Sequence, residues 1–110
     1  MNICKKIFYK YRGISEYSIS YEELKEIMKQ NKDAVLIDVR SPQEYREGHL
    51  EKSINISLYD IERGNYDISD KNKTIIVCCQ YGKRSKKAMQ ILRKNGYSNV
   101  YQLEGGLENL

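Results

Sequence analysis

Apolar positions along the chain fall into short runs that alternate with stretches of helical spacing. Tyr17-Ser18-Ile19 reads as a short strand, and Ser20 with Glu23 is a capping-box signature for a helix over about 21–30 with Leu24, Ile27 and Met28 on its inner face. Ala34-Val35-Leu36-Ile37 is an unbroken apolar run ending in Asp38, the pattern of a strand buried on both faces. Ser41, Pro42 and Glu44 supply the N-cap, first-turn proline and acidic third residue of a short helix to about Glu47, stopped by Gly48. Ile54-Asn55-Ile56 is a further strand, Leu58 to Arg63 turns as helix until Gly64-Asn65 breaks it, and 65–73 reads as loop. Thr74 to Cys78 is the most β-prone run. Beyond Gly82, a helical pattern from about Arg84 to Lys94 buries Ala88, Ile91 and Leu92 and ends at Asn95-Gly96. Asn99-Val100-Tyr101 predicts a last strand, and Gly105-Gly106 introduces a final helical turn to Leu110. Strands alternating with helices predict an α/β domain over 17–110, preceded by an extension over 1–16. Its central sheet is mainly parallel, with four or five strands and helices on both faces.

Composition narrows the class. A chain of 110 residues holds one compact core, and 40% apolar with 31% charged residues excludes global disorder. Cys4, Cys78 and Cys79 are odd in number, and two are adjacent, so a secreted disulfide framework is not expected. The longest apolar run near the start is Ile7-Phe8-Tyr9, too short for a secretory core or a membrane span, and a cytoplasmic location is expected. Ile3, Ile7, Tyr11 and Ile14 share a helical face opposite Lys5, Lys6 and Lys10. That pattern suits a membrane-surface helix, but a flexible or domain-docking extension has the same residues and is the expectation preferred.

The net charge of +4 is unevenly placed, because no acidic residue lies between Asp70 and Glu104 while Lys71, Lys73, Lys83, Arg84, Lys86, Lys87, Arg93 and Lys94 do. That field suits a small anion or an acidic protein partner. Nucleic acid is not expected, since only Tyr81 and Tyr97 lie near the basic stripe. Lys83, Lys86, Lys87, Arg93 and Lys94 read as the solvated face of the helix. His49 is the single histidine and has no companion ligand spacing, so neither a metal nor another cofactor is expected.

In open α/β sheets ligands bind beyond the carboxyl ends of strands, which directs attention to the loops at 38–41 and 79–85. In Cys79-Gln80-Tyr81-Gly82-Lys83-Arg84-Ser85 a thiol stands at a strand end, a glycine permits a sharp bend, and a helix begins at once. Amides of residues 80 to 85 can converge on the sulfur, with Lys83 and Arg84 nearby, and together they stabilise a thiolate. The magnitude matters, since an ordinary thiol is only about 3% ionised at neutral pH and a helix end contributes about 0.3–2 kcal/mol. Loop amides or cations must add the rest for a resting nucleophile. A thiol at this place that is inert or sealed from solvent would count against such a role.

The segment resembles the active loop of the rhodanese-like single-domain sulfurtransferases, Cys-x-x-Gly-x-Arg-Ser, matched by Cys79, Gly82, Arg84 and Ser85. The resemblance extends over Leu36-Ile-Asp-Val-Arg40, Glu44-Tyr45, Gly48-His49-Leu50, Ile54-Asn-Ile56 and Gly96-Tyr97 through Glu104-Gly-Gly106, nearly everything from about Ile19 onward. It implies ping-pong transfer. The Cys79 thiolate takes a sulfane sulfur from thiosulfate or a persulfide and hands it to a thiol or cyanide-like acceptor, with Gln80, Tyr81, Gly82, Lys83, Arg84 and Ser85 holding the anionic intermediate. Two departures stand out: Glu51-Lys52-Ser53 replaces the family's usual Pro-Gly-Ala, and Leu110 stands where an aromatic is common.

Two other readings remain. Counted from Cys78, Arg84 completes the Cys-x5-Arg spacing of phosphatases and arsenate reductases, although Tyr81 then takes the glycine position and Val77 the place where those enzymes usually carry histidine. A non-catalytic rhodanese-like module binding an acidic partner is the second. In the first reading Cys78 is the nucleophile; otherwise it is a buried strand residue close enough to act as a resolving thiol. Asp38 and Arg40 are expected to support the loop, by bonding to it or by pairing with Glu44 or Glu47.

Overall fold

The computed structural model describes residues 17–110, so the amphipathic pattern read over residues 3–14 lies outside the described residues. Five strands, β1 (Ser18–Ile19), β2 (Val35–Asp38), β3 (Ser53–Asn55), β4 (Ile75–Cys78) and β5 (Val100–Leu103), form one sheet in the order β1-β5-β4-β2-β3. Every pairing is parallel. Between the strands run α1 (Tyr21–Gln30), α2 (Pro42–Glu47), α3 (Leu58–Arg63) and α4 (Lys83–Lys94), and a 3-10 turn at Leu107–Asn109 follows β5.

Local chemistry explains the boundaries. Ser20 and Ser41 close the capping boxes expected with Glu23 and Glu44, and Ser57 caps α3 by accepting the Asp60 amide. β3 lies one residue earlier than its Ile54-Asn55-Ile56 pattern indicates. Its register is set by β2, where Leu36, Ile37 and Asp38 face Ser53, Ile54 and Asn55, and Ile54 on this edge strand stays 46% exposed. β5 extends to Leu103 because its partners β4 and β1 flank it along different stretches.

Side chains alternate across the sheet with period two. On one face Ile37, Val39, Ile75, Val77, Cys79 and Val100 pack with Ile61 of α3 and Ala88, Met89 and Leu92 of α4. On the other, Leu36, Ile76, Cys78, Tyr101 and Leu103 pack with Leu24 and Ile27 of α1. Adjacent cysteines therefore belong to opposite cores.

The strand order reverses direction between β2 and β4. The chain leaves β2 for the β3 edge and leaves β4 toward β5, and Asp38 pairs with Cys78 in the register. The loops after both residues thus emerge side by side into the crevice where ligands bind in this fold class.

Candidate active site

Among the described residues, three of the four α-helices are capped by a serine. α4 is different: its N-cap is Gly82, with φ 99° and no side chain to offer. The Ser85 amide at the third helical position, the donor that a capping oxygen would satisfy, is bonded to Cys79 Sγ at 3.3 Å. The Gly82 amide donates to the same sulfur at 3.1 Å. The sulfur of Cys79 thus takes the place of a capping acceptor at the positive end of a twelve-residue helix. Of the six loop amides expected to converge, these two reach it.

Cys79 is only 1% exposed, so the open nucleophile expected from the sequence is not what the structure shows. The thiol lies under its own loop, 3.5 Å from the Ser85 hydroxyl. That hydroxyl lies within hydrogen-bond distance of Gly82 O (3.0 Å) and Gln102 Oε1 (3.1 Å), and Gln102 Nε2 donates to Ser18 Oγ at 3.2 Å. Gln102, buried on β5, was not legible in advance. An amide between two strand ends carries no sequence signature until the β1–β5 pairing is known.

The remaining loop residues divide. Tyr81 is 69% exposed, and Lys83 is exposed at the first turn of α4. Arg84, expected beside the sulfur, is gripped by both Glu44 oxygens, Nη1 to Oε1 at 2.6 Å and Nη2 to Oε2 at 3.0 Å. The guanidinium in turn holds the Glu44 carboxyl well below its ordinary range, at about 2. The bridge ties α4 to α2. Gln80 turns away from the sulfur: its amide donates to Glu108 Oε2 at 2.9 Å and its oxygen accepts from Arg40 Nη1 at 3.4 Å.

Asp38 and Arg40 pair with each other rather than with Glu44 or Glu47. Arg40 Nε reaches both Asp38 oxygens and Nη2 donates to Asp38 Oδ2 at 2.7 Å and to Gly48 O at 2.6 Å. This buried pair joins the β2 exit to the turn after α2 and, through Gln80, to the cysteine loop. The basic face of α4 also differs in one place. Arg93 stacks on Tyr17 at 3.5 Å and donates to Val100 O, so it braces the β1 edge rather than facing solvent.

A second support comes from the 3-10 turn. Leu107 N donates to Cys79 O at 2.8 Å and Glu108 N to Gln80 O at 2.9 Å. Gly106, with φ 70°, lies so close that a Cβ there would stand 2.5 Å from Gln80 O and 2.7 Å from Cys79 O. The Gly105-Gly106 pair therefore shapes the cysteine loop, where the sequence indicated only a helix start.

Cys78 is fully buried against the α1 side. Burial is the main cause that pushes its thiol up to about 12, with the Asp38 carboxylate adding to it. It has no place among the amides that meet Cys79, and its side chain points away from that sulfur. This runs against both the Cys78 phosphatase register and a resolving role. Among the described residues no cluster of potential metal ligands occurs, and no helix is long and apolar enough to cross a membrane.

The family profile described as Rhodanese-like domain matches residues 20–110. The chain is 40% identical over 75 residues to the thiosulfate sulfurtransferase PspE of Escherichia coli, covering 67% of this chain and 71% of that one. It is 38% identical over 85 residues to the tRNA uridine(34) hydroxylase of Buchnera aphidicola, covering 73% of this chain but only 27% of that much longer protein. Among solved structures, a rhodanese-like domain protein from Staphylococcus aureus superposes with a TM-score of 0.73 at 28% identity, covering 83% of this chain and 87% of that one. The human single-domain sulfurtransferase, at 24% identity, shares the fold with a TM-score of 0.75 over 84% of this chain and 92% of its own.

Proposed function

Since the chain belongs to the rhodanese-like domain family, we propose that it is a sulfurtransferase that carries a sulfane sulfur on Cys79. The observation that supports this most is the sulfur of Cys79 standing as acceptor to the Gly82 and Ser85 amides where a helix cap would be. Both amides are aimed at the sulfur from the start of α4, so donors are already in place for an anionic sulfur carried there. Likeness to a thiosulfate sulfurtransferase points to the donor class.

In the first half-reaction the Cys79 thiolate attacks the outer sulfur of thiosulfate. A new S–S bond forms, the donor's S–S bond breaks and sulfite leaves with the electron pair. In the second, an acceptor thiolate or cyanide attacks the terminal sulfur of the Cys79 persulfide, and the Cys79 thiolate departs. Because Cys79 is 1% exposed, turnover requires the loop to open around 80–83, where Tyr81 already projects into solvent and Gly82 can absorb the backbone change.

Intact mass after thiosulfate treatment tests the proposal. Wild type and Cys78→Ser gain one sulfur that cyanide removes, and Cys79→Ser gains none. An adduct retained in Cys79→Ser but lost in Cys78→Ser would overturn the assignment. Absence of any adduct would instead favour a binding module. Iodoacetamide labelling of the native protein followed by peptide mapping reads loop opening directly: modification at Cys79 is expected, and complete protection of Cys79 would remove the proposed chemistry.

A further inference from the structure

The two faces of the sheet are unequally roofed. α3 and α4 cover one, while α1 lies on the other and leaves a cleft of about 360 Å3 against the turn at 50–52. Its floor is apolar, made by Leu24, Met28, Leu36 and Leu50, and its volume suits one or two inserted side chains. Its rim is basic: Lys25, Lys29 and Lys32 follow one side, Lys52 faces them, and Glu51 is the single acidic residue of the lining. Lys25 is held by Glu22 at 3.2 Å. Lys29, Lys32 and Lys52 form no ion pair among the described residues. Lys52 also has φ 69°, the one left-handed non-glycine among them.

We propose that this cleft docks an acidic segment of a partner protein, inserting an apolar side chain while its flanking carboxylates meet the lysines. Charge complementarity selects the occupant. The chain's own extension carries Lys5, Lys6, Lys10 and Arg12 with one acidic residue, Glu16, the same sign of charge as the rim. A single-headed amphiphile satisfies one end only, whereas Lys25 and Lys29 stand one turn apart on α1 and Lys32 lies just beyond its end, so the charge is spread over more than one helical turn. Leu50 is shared with a neighbouring depression of about 280 Å3 lined by Arg40, His49, Gln80 and Leu107. Leu50 thus separates the docked segment from a depression that Gln80, the residue following Cys79, helps to line, and the relevance of that proximity alone rests on the proposed sulfur transfer.

The test uses the full chain and a fluorescein-labelled peptide in which one leucine is flanked on both sides by glutamates, with binding read by anisotropy. Reversing Lys25, Lys29 and Lys32 together to Glu is expected to weaken binding about tenfold or more. Changing the peptide leucine to serine weakens it as well, while Lys86→Glu with Lys94→Glu on α4 changes it less than about twofold. These exposed positions leave the fold intact by circular dichroism, and the triple variant keeps wild-type thiosulfate-to-cyanide turnover, so loss of docking is separate from loss of chemistry. A benzoylphenylalanine at position 28 should crosslink to the peptide. Equal loss on reversing the α4 lysines, indifference to the leucine, or a crosslink to residues 1–16 or to a second copy would each overturn the proposal.

Discussion

Two cysteines adjacent in sequence have different surroundings because a strand turns successive side chains to opposite faces. Cys78 is enclosed by the α1 core, and its thiol is raised to about 12. Its alkylation is therefore expected to be negligible at neutral pH until the protein unfolds, which labelling across a urea series followed by peptide mapping would show. Gly106 is the other residue whose identity the backbone dictates. Alanine there meets both a left-handed φ of 70° and a carbonyl oxygen at 2.5 Å, so Gly106→Ala should cost about 1–3 kcal/mol. Because the displaced carbonyls belong to Cys79 and Gln80, sulfur loading should fall even where thermal melting shows the variant folded. Gly105→Ala, which meets only the Asn109 side chain, is the comparison that separates strain from loop displacement. Lys52→Gly tests the strained turn before β3 and should raise stability by up to about 1 kcal/mol in urea titration.

At the scale of elements, the bridge between Glu44 and Arg84 fastens α2 to the start of α4. Its folded carboxyl titrates at about 2, lower than the ordinary 4.5. The bridge's contribution is therefore fully present above about pH 5 and is lost as pH falls through 4.5 toward 2. About a third of each side chain is exposed, and screening limits the effect to about 1 kcal/mol. Glu44→Gln should lie below wild type by that amount at neutral pH and converge with it in acid, as urea titrations at several pH values would read. The elements themselves were largely legible in the sequence. Ser20, Ser41 and Gly82 mark helix starts through chemistry local to a few residues, and the runs at 35–38 and 75–78 announce buried parallel strands. What escaped depended on distant pairing. The one-residue shift of β3, the Gln102 link to Ser85, the Glu44 grip on Arg84 and the seating of Gly106 against Gln80 all join segments far apart in the chain. The sequence showed that a thiol met a helix start, but the burial of Cys79 depends on how neighbouring elements close over it.

Taken whole, the domain draws its site from both ends of the described chain. Ser18 on β1 and Gln102 on β5 meet across 84 positions, and among the described residues β1 has no other sheet partner. Gln102→Leu should strip the Ser18 hydroxyl of its hydrogen-bond partner and lower stability by about 1–3 kcal/mol in denaturant titration. All-parallel pairing of this kind joins residues distant in sequence, and refolding is expected in milliseconds to seconds rather than microseconds, as stopped-flow measurement would establish. The seating of Leu107 and Glu108 on the Cys79 and Gln80 carbonyls carries a further consequence for biosynthesis. A ribosome that has just released the cysteine from its exit tunnel has yet to deliver the residues that brace it. The nascent thiol must wait, unsupported, until Glu108 has also left the tunnel, and during that interval it is more exposed to chance oxidation than in the finished domain.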